Sequence, residues 1–390
     1  MRPKNPKKSN LSDLAKKIAK EIEATASKHD RCGTFPHEHY AFMRTHGYLW
    51  ASVPTEYGGP GHGLSDLTLA QYEIGRGDGS TAVSVAMHHI VVGAESEAHN
   101  WPAGLRNRIF SEIATNGALI NSIASEPDLG SPRGGGRPAT TLVPTGDGKW
   151  LLNGRKTWST LAPGLTYAII LAAVEDGSGD TARVVKRMDS EGISIEETWD
   201  SMSMRASGSH DIILHDVLVK QEDFIMRIKS STPSKDNFAG AAWFPLLLSS
   251  SNVGIASAAR DYAVDFAITR KPTGAAVPIS KIPHIREQIA RMESILLGAR
   301  RTIFSCAEDW GKYPNERKDL LPELSITKVR SIEAAIQITD LAMRIVGGVG
   351  LQRNRPLERY FRDVRSGIAN PPIEARALEQ LASHILDREM

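Results

Sequence analysis

The spacing of apolar residues changes twice along this chain, and those changes constrain its fold more than any single motif. From residue 12 to about 116 the period is helical, with Leu11, Leu14, Ile18 and Ile22 recurring at three and four. Ser12 and Asp13 stand where they can cap the first of these helices. Further helices are expected over 38–45, 67–76 and 80–92. Between 121 and 219 the period falls to two, so strands are expected at 150–152, 167–174, 183–187 and 211–219, broken by the turn pairs Asp147-Gly148 and Asn153-Gly154. After a polar linker over 229–237 the helical period returns across 243–270, 282–312, 322–346 and 372–386. Four long helices of this kind read as an antiparallel bundle. The expected division is a helical domain over 1–120, a β domain over 121–235 and a helical bundle over 236–390.

Charge and cysteine content narrow the function classes. A formal net charge of +2 over 390 residues gives no electrostatic reason to expect a nucleic-acid or membrane partner. The two cysteines, Cys32 and Cys306, make neither a disulfide framework nor a metal-ligand spacing, which fits a cytoplasmic protein without a metal. No apolar run approaches the roughly 20 residues of a membrane span, and the N-terminus has no signal-peptide core.

The stretch from Arg344 to Pro372 carries the chemistry. Gly347, Gly348 and Gly350 close a helical pattern, and glycines there let backbone amides lie directly against a ligand, although a helix C-cap alone also selects them. They are followed by Pro356, Arg359, Arg362 and Asp363. This string resembles the signature of the acyl-CoA dehydrogenase superfamily. The resemblance implies an α+β multidomain fold, with a helical N-terminal domain, a β-barrel-like middle domain and a C-terminal four-helix bundle. It also implies that Gly347 and Gly348 approach the ADP half of an FAD held by a neighbouring subunit, and that Arg362 and Asp363 are structural.

Other motifs extend the resemblance over most of the chain. The turn Pro54-Thr55-Glu56-Tyr57-Gly58-Gly59 is similar to one in the family's N-terminal domain. The segment from Ser125 to Ser131 is similar to the family's hydroxyl-Glu-Pro-x-x-Gly-Ser motif, which implies that Ser125 contacts the flavin ring and Ser131 the cofactor or substrate. A small hydroxyl can donate to a ring carbonyl without crowding it. Asn153 to Thr160 resembles the strand whose aromatic and hydroxyl residues flank the flavin, giving Trp158, Ser159 and Thr160 that place. A core tryptophan is the plain alternative. Arg205, in the Met204 to Ser209 segment, is read either as an interdomain ion pair or as a ligand contact. Arg270 falls where the family has an arginine on the FAD pyrophosphate, and a guanidinium suits a diphosphate. The phenylalanine that accompanies that arginine is missing here. FAD is therefore expected, with FMN as the lesser alternative, in a homodimer or homotetramer.

The expected catalytic base is not where the family keeps it. Proton abstraction next to a thioester needs a carboxylate within hydrogen-bond reach. Aligned from Arg362 and Asp363, the usual glutamate position holds Pro371, flanked by Asn370 and Pro372, and the alternative position on the first bundle helix holds Phe244. Glu374 is the nearest carboxylate that a shifted turn would bring in. Relatives on this fold that oxygenate sulfur, nitrogen or carbon with reduced flavin and O2 also lack that base. In them the resemblance implies work for His88 or His89, on a helix that lines the cavity, and for Ser159. A satisfied interior histidine is the competing reading, and adjacent histidines, about a quarter-turn apart, suit no single metal. The sequence thus leans to a reduced-flavin monooxygenase supplied by a separate flavin reductase, acting on a small organic molecule. An acyl-thioester dehydrogenase using Glu374 is the second expectation, and a catalytically silent flavin- or acyl-binding protein the third.

Overall fold

The computed structural model of the chain describes residues 11–129, 136–230 and 238–387. Five helices come first: α1 Leu11–Cys32, α2 His37–Thr45, α3 Leu64–Gly77, α4 Gly79–Ala98 and α5 Ala103–Asn116. The stripe Leu11, Ala15, Ile18, Ile22 and Ala26 is buried, and α1 lies against α3 through it. Asp78 caps α4, its Oδ2 accepting the Thr81 amide at 2.9 Å. Beyond that cap α4 is apolar almost all round, because it is enclosed by other elements.

Eight strands follow: β1 Ile120–Ile123, β2 Thr141–Pro144, β3 Trp150–Lys156, β4 Tyr167–Val174, β5 Thr181–Arg187, β6 Ile193–Glu196, β7 Asp211–Val219 and β8 Phe224–Ile228. They form one mixed sheet in the order β6-β7-β3-β2-β4-β5-β8, with β1 parallel to the first half of β4 and β2 parallel to its end. The remaining pairs are antiparallel. Asn153-Gly154, expected as a turn, instead lies inside β3. A register shift between Leu152 and Gly154 makes a bulge there, where Gly154 takes φ 153° and a side chain would strike Thr140.

The last helices are α6 Trp243–Thr269, α7 Pro283–Lys312, α8 Arg317–Val346, α9 Leu357–Asp363 and α10 Glu374–Leu386. α8 begins five residues before Pro322, which sits buried inside it rather than starting it. α6 is the central helix, touching α3, α4, α7 and α8. Its approach to α3 is backbone to backbone: a Cβ on Gly254 would stand 2.2 Å from the Tyr72 carbonyl oxygen. Among the described residues the segment Pro314–Leu351 is long and apolar enough to cross a bilayer, and its helix α8 packs here on α6, α7 and α10.

α9 joins the three parts. Arg362 pairs with Asp30 at the end of α1 at 2.7 Å and donates to the Met202 carbonyl at 2.8 Å. Asp363, fully buried, accepts the Met204 amide at 2.8 Å. Both residues hold elements together, each with partners other than its neighbour.

Candidate functional site

The motif around Ser125 and the end of β3 are fastened to each other below the surface. Lys156 and Glu126 are both buried, with Nζ 2.6 Å from Oε1, and the same ammonium donates to the Leu171 carbonyl at 2.6 Å. Glu126 also accepts the amides of Ala139 and Thr140. Its partners hold the Glu126 carboxyl below the usual range against the opposing effect of burial. One residue further on, the Thr157 amide donates to the Ser125 carbonyl at 3.0 Å. Ser125, half-buried, is thereby brought beside residues 157–160.

At Trp158 the strand ends in an unusual conformation. Its φ is 51°, in the left-handed region that large side chains avoid, and its indole is 63% exposed. The core reading of this tryptophan therefore fails. Ser159 next to it is buried, and its hydroxyl has no hydrogen-bond partner among the described residues. The Thr160 hydroxyl meets Ser209 Oγ at 2.9 Å, which meets Ser207 Oγ at 2.7 Å. The 207–210 segment also receives backbone amides from Ser159, Leu161 and Ala162. Arg205 turns away from this edge, donating to the carbonyls of Asp30 and Ser201, so it is a joint between elements.

Both histidines of α4 are interior. His88 Nδ1 accepts the Ile120 amide at 3.2 Å, which leaves Nε2–H to donate to the Leu49 carbonyl at 2.6 Å. With both nitrogens taken by backbone and burial pushing its pKa down to about 4, His88 is neutral and structural rather than a catalytic group. It fixes β1, whose Asn121 in turn donates to the Thr160 carbonyl at 2.9 Å. His89 meets Ser52 Oγ through Nδ1 at 3.1 Å, and its buried Nε2 has no partner among the described residues. Of the two, only His89 has a ring nitrogen to offer, and burial keeps it uncharged.

The loop after α9 holds no carboxylate between 364 and 372. Asn370 is half-buried, and Pro371 and Pro372 follow it. Glu374 lies on the exposed first turn of α10, and Phe244 is partly buried at the start of α6. Beneath the loop sits Lys328, buried on α8 and donating to the carbonyls of Gly367, Asn370 and Pro372. Sequence reasoning passed over this lysine and the Glu126–Lys156 pair. The available signal was a lysine at a core position, one turn after Leu324 and one before Ile332.

Arg270 caps α6 with an exposed side chain. Gly347 ends α8 at φ 67°, and a Cβ on it or on Gly348 would meet nothing within 4 Å. Gly347 is thus demanded by backbone conformation, whereas the openness at Gly348 leaves room for a group from outside the chain. Ser131 lies outside the described residues.

These features fit a flavin: a flat exposed indole, a buried unsatisfied hydroxyl beside it, and an open glycine turn. Residues 6–99, 122–217 and 246–369 match the family models described as the N-terminal, middle and C-terminal domains of acyl-CoA dehydrogenase. The chain is 38% identical over 371 residues to a putative acyl-CoA dehydrogenase, YdbM, of Bacillus subtilis (strain 168), covering 95% of both. It is 30% identical to the amino sugar nitrososynthase RubN8 of Streptomyces rubradiris, over 94% of this chain and 87% of that one. Among solved structures it resembles KijD3 in complex with FMN and a dTDP-linked amino sugar, with TM-score 0.85, 27% identity, and coverage of 99% and 96%.

Proposed function

The chain belongs to the acyl-CoA dehydrogenase family and is a flavin-dependent oxidoreductase; from that premise we propose that it is a reduced-flavin monooxygenase rather than a thioester dehydrogenase. What supports this reading is the identity of the residues at the two places where the resemblance expects a glutamate base. Those places hold Pro371 and Phe244, and Glu374 is exposed on α10. A general base must come within hydrogen-bond reach of the proton it takes, which neither proline nor phenylalanine can do.

Reduced flavin, when bound, supplies the two electrons that split O2, one oxygen atom going to the substrate and the other leaving as water. The protein's part is positioning. Trp158 offers a face on which a planar ring stacks. Ser159 and Thr160 place hydroxyl donors at its edge, and the Ser209–Ser207 pair fixes the Thr160 hydroxyl. The apolar wall of α4 excludes water, with His89 the polar side chain on it whose nitrogen remains unsatisfied. In this reading Arg270 meets the diphosphate of FAD and the 347–348 turn its ADP half, each across a subunit contact in a homodimer or homotetramer. FMN is the second reading, favoured by the similarity to the FMN complex of KijD3. The nitrososynthase relative puts amines among the substrate classes to try first.

Rapid mixing of the protein, loaded with reduced flavin, against oxygenated buffer tests the proposal. A recovery of the oxidised-flavin spectrum in two resolved phases is expected, with a slow second phase. Prompt single-phase recovery with no oxygenated product from an amine or sulfide panel refutes it. The similarity to a putative acyl-CoA dehydrogenase favours a second reading, with Glu374 as a relocated base. In that case Glu374→Gln abolishes bleaching of the flavin by acyl-CoA.

A further inference from the structure

α8 carries a lysine where its packing calls for an apolar side chain. Leu324, Thr327, Ser331, Ile332 and Ala335 are buried on the same face, and Lys328 is 2% exposed. Burying an ammonium without compensation is strongly unfavourable. The compensation here comes from one loop: Nζ donates to the Gly367 carbonyl at 2.8 Å, to the Pro372 carbonyl at 3.3 Å and to the Asn370 carbonyl. Three N–H donors thus meet three acceptors within six residues of chain. Gly367 lets the loop settle this deeply, since a Cβ there would lie 2.4 Å from Ile332 Cδ1, one turn beyond Lys328.

We propose that Lys328 is a positioning residue, whose ammonium gathers the 367–372 loop and so sets where Asn370 and the two prolines stand at the wall of the flavin site. The proposal rests on the reading of that loop as part of the site. Past the short 3-10 turn Val364–Ile368, residues 369–372 form neither helix nor strand, so their carbonyls must find donors elsewhere. A charged donor binds each carbonyl more strongly than a neutral one. An apolar residue at 328 would leave the three carbonyls without this donor and open to water, and the loop would open. Burial lowers the Lys328 pKa to about 8, as expected for an ammonium balanced by dipoles alone.

Amide hydrogen exchange across 366–373 in the full chain reads the clamp directly. In Lys328→Met these amides are expected to exchange about tenfold faster than in the parent, with flavin affinity within about threefold. Lys328→Gln, which keeps two donors, serves the same comparison if the methionine variant does not fold. Leu324→Ala is the control, because it loosens the same face without touching the loop. It is expected to lower thermal stability while leaving loop exchange as in the parent. Unchanged loop exchange in a folded Lys328 variant, or equal loosening in Leu324→Ala, overturns the clamp. The site is read separately, by reoxidation of bound reduced flavin in air, expected to be about tenfold faster in Lys328→Met because the wall no longer excludes solvent. Faster loop exchange with unchanged reoxidation upholds the clamp and places the failure in the reading of the loop as part of the site.

Discussion

Trp158 combines a left-handed backbone conformation, which costs roughly 1–2 kcal/mol, with an indole left in solvent. Neither feature stabilises the chain by itself, and both make sense if a planar group covers the ring. Trp158→Ala should therefore weaken flavin binding about tenfold while leaving the thermal midpoint within a few degrees, as measured by flavin titration and calorimetry. His88 makes the opposite case. Its folded pKa of about 4 lies below the ordinary histidine value, so the unfolded chain binds the extra proton between about pH 6.5 and 4. Stability from this residue is full above that window and is lost as pH falls through it, by up to about 3 kcal/mol. Asp363, pushed up to about 7 by burial, acts in the other direction across that whole window. The informative quantity is thus the difference between parent and His88→Gln in denaturant unfolding across pH 4 to 7, which should shrink on acidification. The strings that hold Ser125, and Trp158 with Ser159, were legible because each is contiguous in sequence, whereas their meeting depends on the fold. The occupation of His88 was not legible, because its two partners come from Leu49 and Ile120, which only folding brings near.

The joint between the 125–129 segment and β3 depends on one buried ion pair. Removing a single partner leaves the other charge buried and uncompensated, so Lys156→Met should cost about 3–5 kcal/mol in urea unfolding. The double variant Glu126→Gln with Lys156→Met should cost less than Lys156→Met alone. A double variant as unstable as the sum of the single ones would mean the two groups do not act as a unit. The long helices and β7 were located by a buried face, and β4 by a continuous apolar run that is buried on both sides. Periodicity misread Asn153-Gly154, since a bulge and a hairpin turn ask for the same residues. It also began α8 at Pro322, where the buried proline gives up a single intrahelical hydrogen bond and the helix continues.

Across the whole molecule, the order of helical, β and helical parts followed from the two changes of period, and the family from the strings around 125, 153 and 347. What ties the parts together was invisible there. Arg362, Asp363 and Lys328 act on residues up to hundreds of positions away, and a sequence does not show which carbonyl a buried cation will meet. The assignment of Arg270 is a matter of assembly. If it reaches the diphosphate of FAD held by another copy, Arg270→Ala weakens FAD at least about tenfold and leaves FMN nearly unchanged in equilibrium dialysis. Equal loss for both cofactors, or none, would contradict that assignment.

In the proposed reading this site lacks a base for thioester α-protons. That reading is tested most directly by mixing the protein, loaded with oxidised flavin, with acyl-CoA thioesters of several chain lengths under anaerobic conditions. The flavin spectrum is expected to remain oxidised. Bleaching of the flavin by any of these thioesters would contradict it.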